Sequence, residues 1–237
     1  MNTPAVVEFS GVVKHYHGLR PLRVSDLRLH AGERLALGGF DATTGELFVN
    51  LVTGTFLPDE GDVRVFGGNT RDLATDAQWL ESLDRLGIVT HRATFLDGMS
   101  VLQNLALPLT LEIDPVTDDV RERVTVLARE VAFDEALLDG TIAAVTPLGR
   151  ARLHLARALA LDPDVLLVEH PTAMLGPDDV VPFARTMADV AERRGVAVVV
   201  LTVDAAFAAV LGARHLTLQP ATGALAAARG WKRWFTR

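Results

Sequence analysis

The segment Leu35 to Gly54, LALGGFDATTGELFVNLVTG, constrains the fold more than any other stretch of the chain. Leu35, Ala36 and Leu37 read as a short buried strand, Gly38 and Gly39 as a turn, and about Thr44 to Thr53 as a helix. Strand, tight turn and helix in that order frame a phosphate-binding loop, whose pattern is G-x-x-x-x-G-K-[ST]. On that frame Gly39 is the first glycine and Thr44 takes the place of the second. Gly45 stands where the lysine belongs and Glu46 where the hydroxyl residue belongs. The scaffold is there without its chemistry.

Apolar strands and helices alternate along the rest of the chain. Val6 to Phe9, Leu22 to Leu29, Asp62 to Phe66, Gly87 to Thr90, Val165 to Val168 and Val196 to Leu201 read as strands. Helical spacing covers Thr75 to Leu86, Val101 to Pro108, Asp118 to Val131, Pro147 to Leu161 and Asp178 to Arg193. Arg214 to Leu218 and Ala224 to Ala227 read as a closing antiparallel pair. This order predicts an α/β fold, a mostly parallel sheet with helices on both faces, plus a small antiparallel β part. The helix-only stretch 94–162 is expected to be an insert in a core made of 1–93 and 163–230, followed by an aromatic and basic tail, 231–237.

At 237 residues the chain is long enough for one domain with a substantial core. Its net charge of -7 gives no reason to expect nucleic acid. The absence of cysteine rules out disulfides and thiolate metal sites and fits a reducing compartment. The opening MNTPAVVEFSG carries no basic, then apolar, secretory signal. Val196 to Ala213 is as long as a marginal membrane span, but Asp204 near its middle favours a strand followed by a helix. The chain is therefore expected to be soluble by itself.

The run Ala156 to Val168, ARALALDPDVLLV, and then Pro171 to Pro177, PTAMLGP, resembles the nucleotide-binding subunit of ABC transporters. The resemblance extends over almost the whole chain, from Val7-Glu8-Phe9 through Phe95 to Leu109, and it implies the P-loop NTPase-like cassette fold. It also implies ATP and magnesium as ligands, a transmembrane permease and a second cassette (homo- or heterodimer) as partners, and a place at the inner face of the plasma membrane. Phe95, Leu96, Met99, Val101 and Leu102 are then the expected permease interface.

Most of that family's working positions are altered. The phosphate-loop lysine is Gly45 and the magnesium-binding hydroxyl is Glu46. The Q-loop glutamine is His91, and the LSGGQ signature reads Val145-Thr146-Pro147-Leu148-Gly149. The Walker B aspartate is Glu169, the catalytic glutamate His170, the D-loop aspartate Gly176 and the switch histidine Val203. Tyr16, at the adenine-stacking position, and Gly39 still match.

A phosphate loop aims backbone N–H groups and a helix N-terminus at anionic oxygens, with a lysine reaching the terminal phosphates. The only lysines, Lys14 and Lys232, are far from this loop in sequence. Glu46 adds an anion, and one charge pair at about 4 Å near a surface is worth a few kcal/mol, so triphosphate affinity is expected to collapse. Phosphoryl transfer is mostly positioning and charge stabilisation, so no catalytic residue and no bound cofactor are expected. Thr43-Thr44-Gly45-Glu46 reads as a capping box that would satisfy the helix start internally, with Thr43 as N-cap. A second possibility gathers Glu46, His91, Glu169 and His170 around a transition metal. The chain is thus expected to be a catalytically silent transporter subunit. An ATPase with unusual motifs, possibly moving lipid, and a scaffold outside transport are the alternatives.

Overall fold

The computed structural model describes residues 4–72 and 75–227. The tail 231–237 lies outside the described residues. In chain order the elements are β1 (Ala5–Lys14), β2 (Leu22–His30), β3 (Arg34–Gly38), α1 (Ala42–Val52), β4 (Glu60–Val65), β5 (Gly68–Asn69) and α2 (Asp76–Asp84). Then come β6 (Leu86–Val89), α3 (Val101–Ala106), α4 (Asp118–Glu130), α5 (Pro147–Ala158) and β7 (Val165–Glu169). The chain continues with α6 (Pro177–Arg194), β8 (Ala197–Leu201), α7 (Ala205–Val210), β9 (Arg214–Gln219) and β10 (Ala224–Ala227).

A six-stranded sheet runs β10-β9-β3-β8-β7-β6, parallel throughout except for the antiparallel β9–β10 pair. A four-stranded antiparallel sheet runs β2-β1-β4-β5. Side chains alternate across a strand, and in β7 and β8 both sets are buried, as expected of central parallel strands covered on two faces. Val165, Leu167, Val199 and Leu201 join Leu35 and Leu37 in a core shared with α1 and the antiparallel sheet. Leu166, Val168, Val198 and Val200 join Ala36 in a second core. Phe48 of α1 is fully buried, stacks on Phe9 at 4.9 Å and meets Phe40 edge-on at 5.4 Å. Burial of one such ring is worth about 2–3 kcal/mol, enough to tie helix and both sheets together.

Between β6 and β7 the α-helices α3, α4 and α5 are the regular elements, with two short 3-10 turns. Their buried residues, Val101, Leu105, Val124, Leu127 and Leu153 among them, belong to the same core as the second face of the sheet. The helical stretch is thus packed into the domain rather than hung from it. Val196 to Ala213 forms β8 and α7, with Asp204 as the N-cap accepting from the Phe207 amide. Among the described residues no helix is long and apolar enough to cross a membrane.

Helix α1 begins two residues earlier than its sequence spacing indicates, and this corrects the capping box. Asp41 is the N-cap, not Thr43: its carboxylate accepts from the Thr44 amide at 2.8 Å, and the Thr44 hydroxyl accepts from the Asp41 amide at 2.9 Å. Thr43 is an exposed residue of the first turn. Asp precedes both threonines and is as good a cap as either, so the box closes two residues upstream. Hydrogen bonds donated to the Asp41 carboxylate by the Thr44 amide first and by the Thr44 hydroxyl, at 2.7 Å, second hold that carboxyl below its ordinary pKa.

Helix α5 seats on β6 through the missing side chain of Gly87, where a Cβ would lie 2.5 Å from the Ala158 carbonyl oxygen and 2.6 Å from Leu166 Cδ2. Gly87→Ala is therefore expected to lower the unfolding free energy by about 2 kcal/mol, since neither backbone nor packed leucine can yield cheaply. Urea unfolding measures it, and an unchanged midpoint would mean that α5 does not close on β6 as described.

Candidate functional site

The carboxyl ends of β3, β6, β7 and β8 meet at one edge of the parallel sheet, the usual place for a ligand crevice in this class of fold. The turn from β3 into α1 depends on Gly39: its φ is +84°, and a Cβ there would meet the Leu218 carbonyl oxygen at 2.8 Å. The turn therefore has the shape of a phosphate-binding loop.

Beside the first turns of α1 stands an arginine. Arg92, in the loop after β6, places Nη2 2.6 and 2.7 Å from the two carboxylate oxygens of Glu169. Its Nη1 lies 2.5 Å from Glu46 Oε1. The Thr90 hydroxyl donates to Glu169 Oε2 at 3.2 Å and accepts from Arg92 Nε at 3.3 Å. The Glu169 side chain is only 2% exposed, so its charge depends on these partners, whereas Glu46 is 49% exposed and has water as an alternative. Burial works against the Arg92 charge, but the hydrogen bonds and charge of Glu169, aided by Glu46, outweigh it and raise the guanidinium pKa. Spacing that places lysines far from the loop is thus no guide to its charge: a cation is present. What conceals it in the sequence is that Arg92 arrives from another strand, next to His91.

Gly45 is buried against His170, and a Cβ there would sit 3.3 Å from His170 Nε2 and 3.3 Å from Leu201 Cδ1. The imidazole takes the space a lysine side chain would have to enter. His170 has φ +42°, a strained backbone for a non-glycine residue, and its amide donates to the Leu201 carbonyl at 2.9 Å. Among the described residues its buried Nε2 has no hydrogen-bond partner, and neither has Nε2 of His215 opposite Gly38.

The four residues Glu46, His91, Glu169 and His170 do not assemble as a metal centre, which corrects that expectation. Arg92 sits on both carboxylates, and among the described residues there is no group of three or more potential ligands placed to hold a metal ion. His91 is exposed and faces the surroundings of His154 instead. Val203 is 78% exposed, in the loop after β8. Tyr16 is half-buried and packs on the edge of the core beneath the antiparallel sheet. Of the expected permease interface, Val101 and Leu102 are 0% and 3% exposed and belong to the core, because α3 turns them towards the helical stretch. Phe95 is half-buried with its ring 4.4 Å from that of His154, Met99 is half-buried, and Leu96 is 47% exposed.

Solved structures of the same shape decide the fold. The chain superposes on a dimeric post-hydrolysis state of the ATP-binding cassette MJ0796 bound to ADP and Pi with a TM-score of 0.76, 21% identity, and 95% and 100% of the two chains covered. It superposes on cbiO1 from Clostridium perfringens, part of the ABC transporter complex cbiONQ, with a TM-score of 0.79, 18% identity and 93% and 86% coverage. The fold is that of an ATP-binding cassette. No protein-family model matches the chain. In sequence the cassette is similar to the methionine import ATP-binding protein MetN 2 of Paraburkholderia xenovorans, 28% identical over 210 residues. That match covers 84% of this chain and 52% of the relative, so the cassette spans about half the length of that protein.

Arg92→Ala strips the buried Glu169 of its main counter-charge and is expected to destabilise the cassette by about 2–3 kcal/mol, less than a fully buried pair because Arg92 is partly exposed. Adding Glu169→Gln should recover most of that loss. A double-mutant cycle by urea unfolding measures the coupling, and purely additive losses would show that the pair does not interact.

Proposed function

We propose that this cassette does not hydrolyse ATP and acts as a structural or regulatory partner of a transmembrane permease. The observation that carries the reading is the bridge of Arg92 between Glu46 and Glu169, with His170 against Gly45. A triphosphate with magnesium would have to pull Arg92 from Glu169 and leave that carboxylate buried without its partner, at a cost of several kcal/mol. No lysine would then reach the phosphates from α1, since its position is glycine and the space beside it is filled. His170 at the position of a catalytic glutamate has Nε2 buried rather than turned to an attacking water.

The partners follow from the similar proteins, which are named for methionine import, for a dimer of cassettes and for a multi-subunit ABC complex. This cassette would accordingly sit at the inner face of a plasma membrane, held there by a permease and paired with a like or unlike cassette. An amino-acid cargo is the class that the relative's name supports, ahead of lipid. Phe95, Leu96 and Met99 offer the docking surface. A second reading has one observation in its favour: Arg92 is a cation at the cradle, and turned through a few bonds it could meet phosphate.

Isothermal calorimetry with Mg-ATP separates the two. The inactive reading expects no heat at submillimolar nucleotide and no phosphate release above that of buffer. Micromolar affinity with turnover that is lost in Glu169→Gln would overturn it, and loss of binding in Arg92→Ala would then assign the phosphates to Arg92.

A further inference from the structure

A cavity of about 880 Å³ opens between α5, the loop after β6 and the loop after β7. This volume lies within the range of about 300–1,000 Å³ typical of small-molecule sites. Its walls are mostly apolar, with Val89, Phe95, Ile142, Val145, Met174 and Phe183 among them. The charges around it are uneven. Arg150 lines the cavity and spends two donors on the carbonyls of Val145 and Ile142, at 3.2 and 3.0 Å. Arg157, behind Phe95 and His154, donates to the carbonyls of Thr94 and Ala93 at 3.1 and 3.4 Å. Among the described residues neither guanidinium has a carboxylate partner, and burial alone lowers the Arg157 pKa.

The carboxylates on the wall do not redress this balance. Glu169 is already held by Arg92; Asp97 and Arg150 are both exposed to solvent, but Arg150 is fixed at the wall by its two carbonyl bonds. His154 reports the resulting field. Burial first, then the charges of Arg157, His91 and Arg150, push its pKa down to about 4, so the imidazole facing the cavity is neutral at physiological pH. Thr90, Thr94 and His170 supply the remaining polar atoms of the wall. Apolar walls with one lining cation, Arg150, that lacks a carboxylate partner, and a second cation, Arg157, behind them are complementary to one kind of molecule.

We propose that this cavity binds a small amphipathic carboxylate, its apolar body against Phe95, Ile142 and Phe183 and its anionic head beside Arg150. Leu96 borders the cavity and also belongs to the permease surface proposed above, so a bound molecule would lie directly beneath a docked partner.

Decanoate is the probe, with 1-decanol and decylammonium as uncharged and cationic controls, titrated calorimetrically into the full chain below micelle-forming concentrations. Decanoate should bind at least about tenfold more tightly than either control, the worth of one charge-assisted hydrogen bond. Arg150→Gln should weaken decanoate about tenfold and leave 1-decanol unchanged. Ala151→Trp should fill the cavity and abolish binding, with Ala151→Met as a smaller filler if the first does not fold, circular dichroism being the check. Proton NMR titration gives an independent reading: a bound anion should raise the His154 pKa from about 4, and the alcohol should not. No binding of decanoate, equal binding of all three amphiphiles, or full binding in a folded cavity-filling variant would overturn the proposal.

Discussion

One guanidinium between two carboxylates organises the carboxyl edge of the parallel sheet. Glu169 ends β7 among wholly buried neighbours, and a carboxylate there is tolerable only with a partner and satisfied lone pairs. Arg92 and Thr90 provide both from the end of the adjacent strand, β6, and Arg92 reaches Glu46 on α1 with its other nitrogen. The ends of β6 and β7 and the start of α1 are thereby joined. Asp41 completes the closure by taking the α1 N-terminus for its own cap, so the helix dipole there faces a carboxylate of the same chain.

The fold was legible in the sequence because its evidence is local and repeated. The apolar runs of β3, β7 and β8 and the spacing of α4, α5 and α6 each declare their period, and the Gly39 turn declares a close approach that only glycine permits. Errors concentrated where several residues of one type compete. Asp41, Thr43 and Thr44 can all cap a helix, and only the backbone path shows that Asp41 does. Val101 and Leu102 share their apolar character with Leu96, and only the seating of α3 separates core from surface.

The site was half legible. What is missing, the lysine and the hydroxyl residue, can be read position by position along the loop. The cation beside them cannot, because Arg92 is distant in sequence from both its partners: it meets Glu169 when β6 is laid beside β7, and Glu46 when α1 packs at that edge. The same holds for His170 and Gly45, whose mutual fit is a matter of a few tenths of an ångström across two loops. An altered motif position and a long-range contact are two different kinds of evidence, and sequence position reveals the first far more readily than the second.

The most direct measurement is a crystal structure of the chain grown with saturating magnesium and a non-hydrolysable ATP analogue, read at Arg92. The guanidinium should still be bonded to both Glu169 oxygens and to Glu46, with no triphosphate on the Gly39 turn. A triphosphate seated at the start of α1, with Arg92 swung away from Glu169, would contradict it.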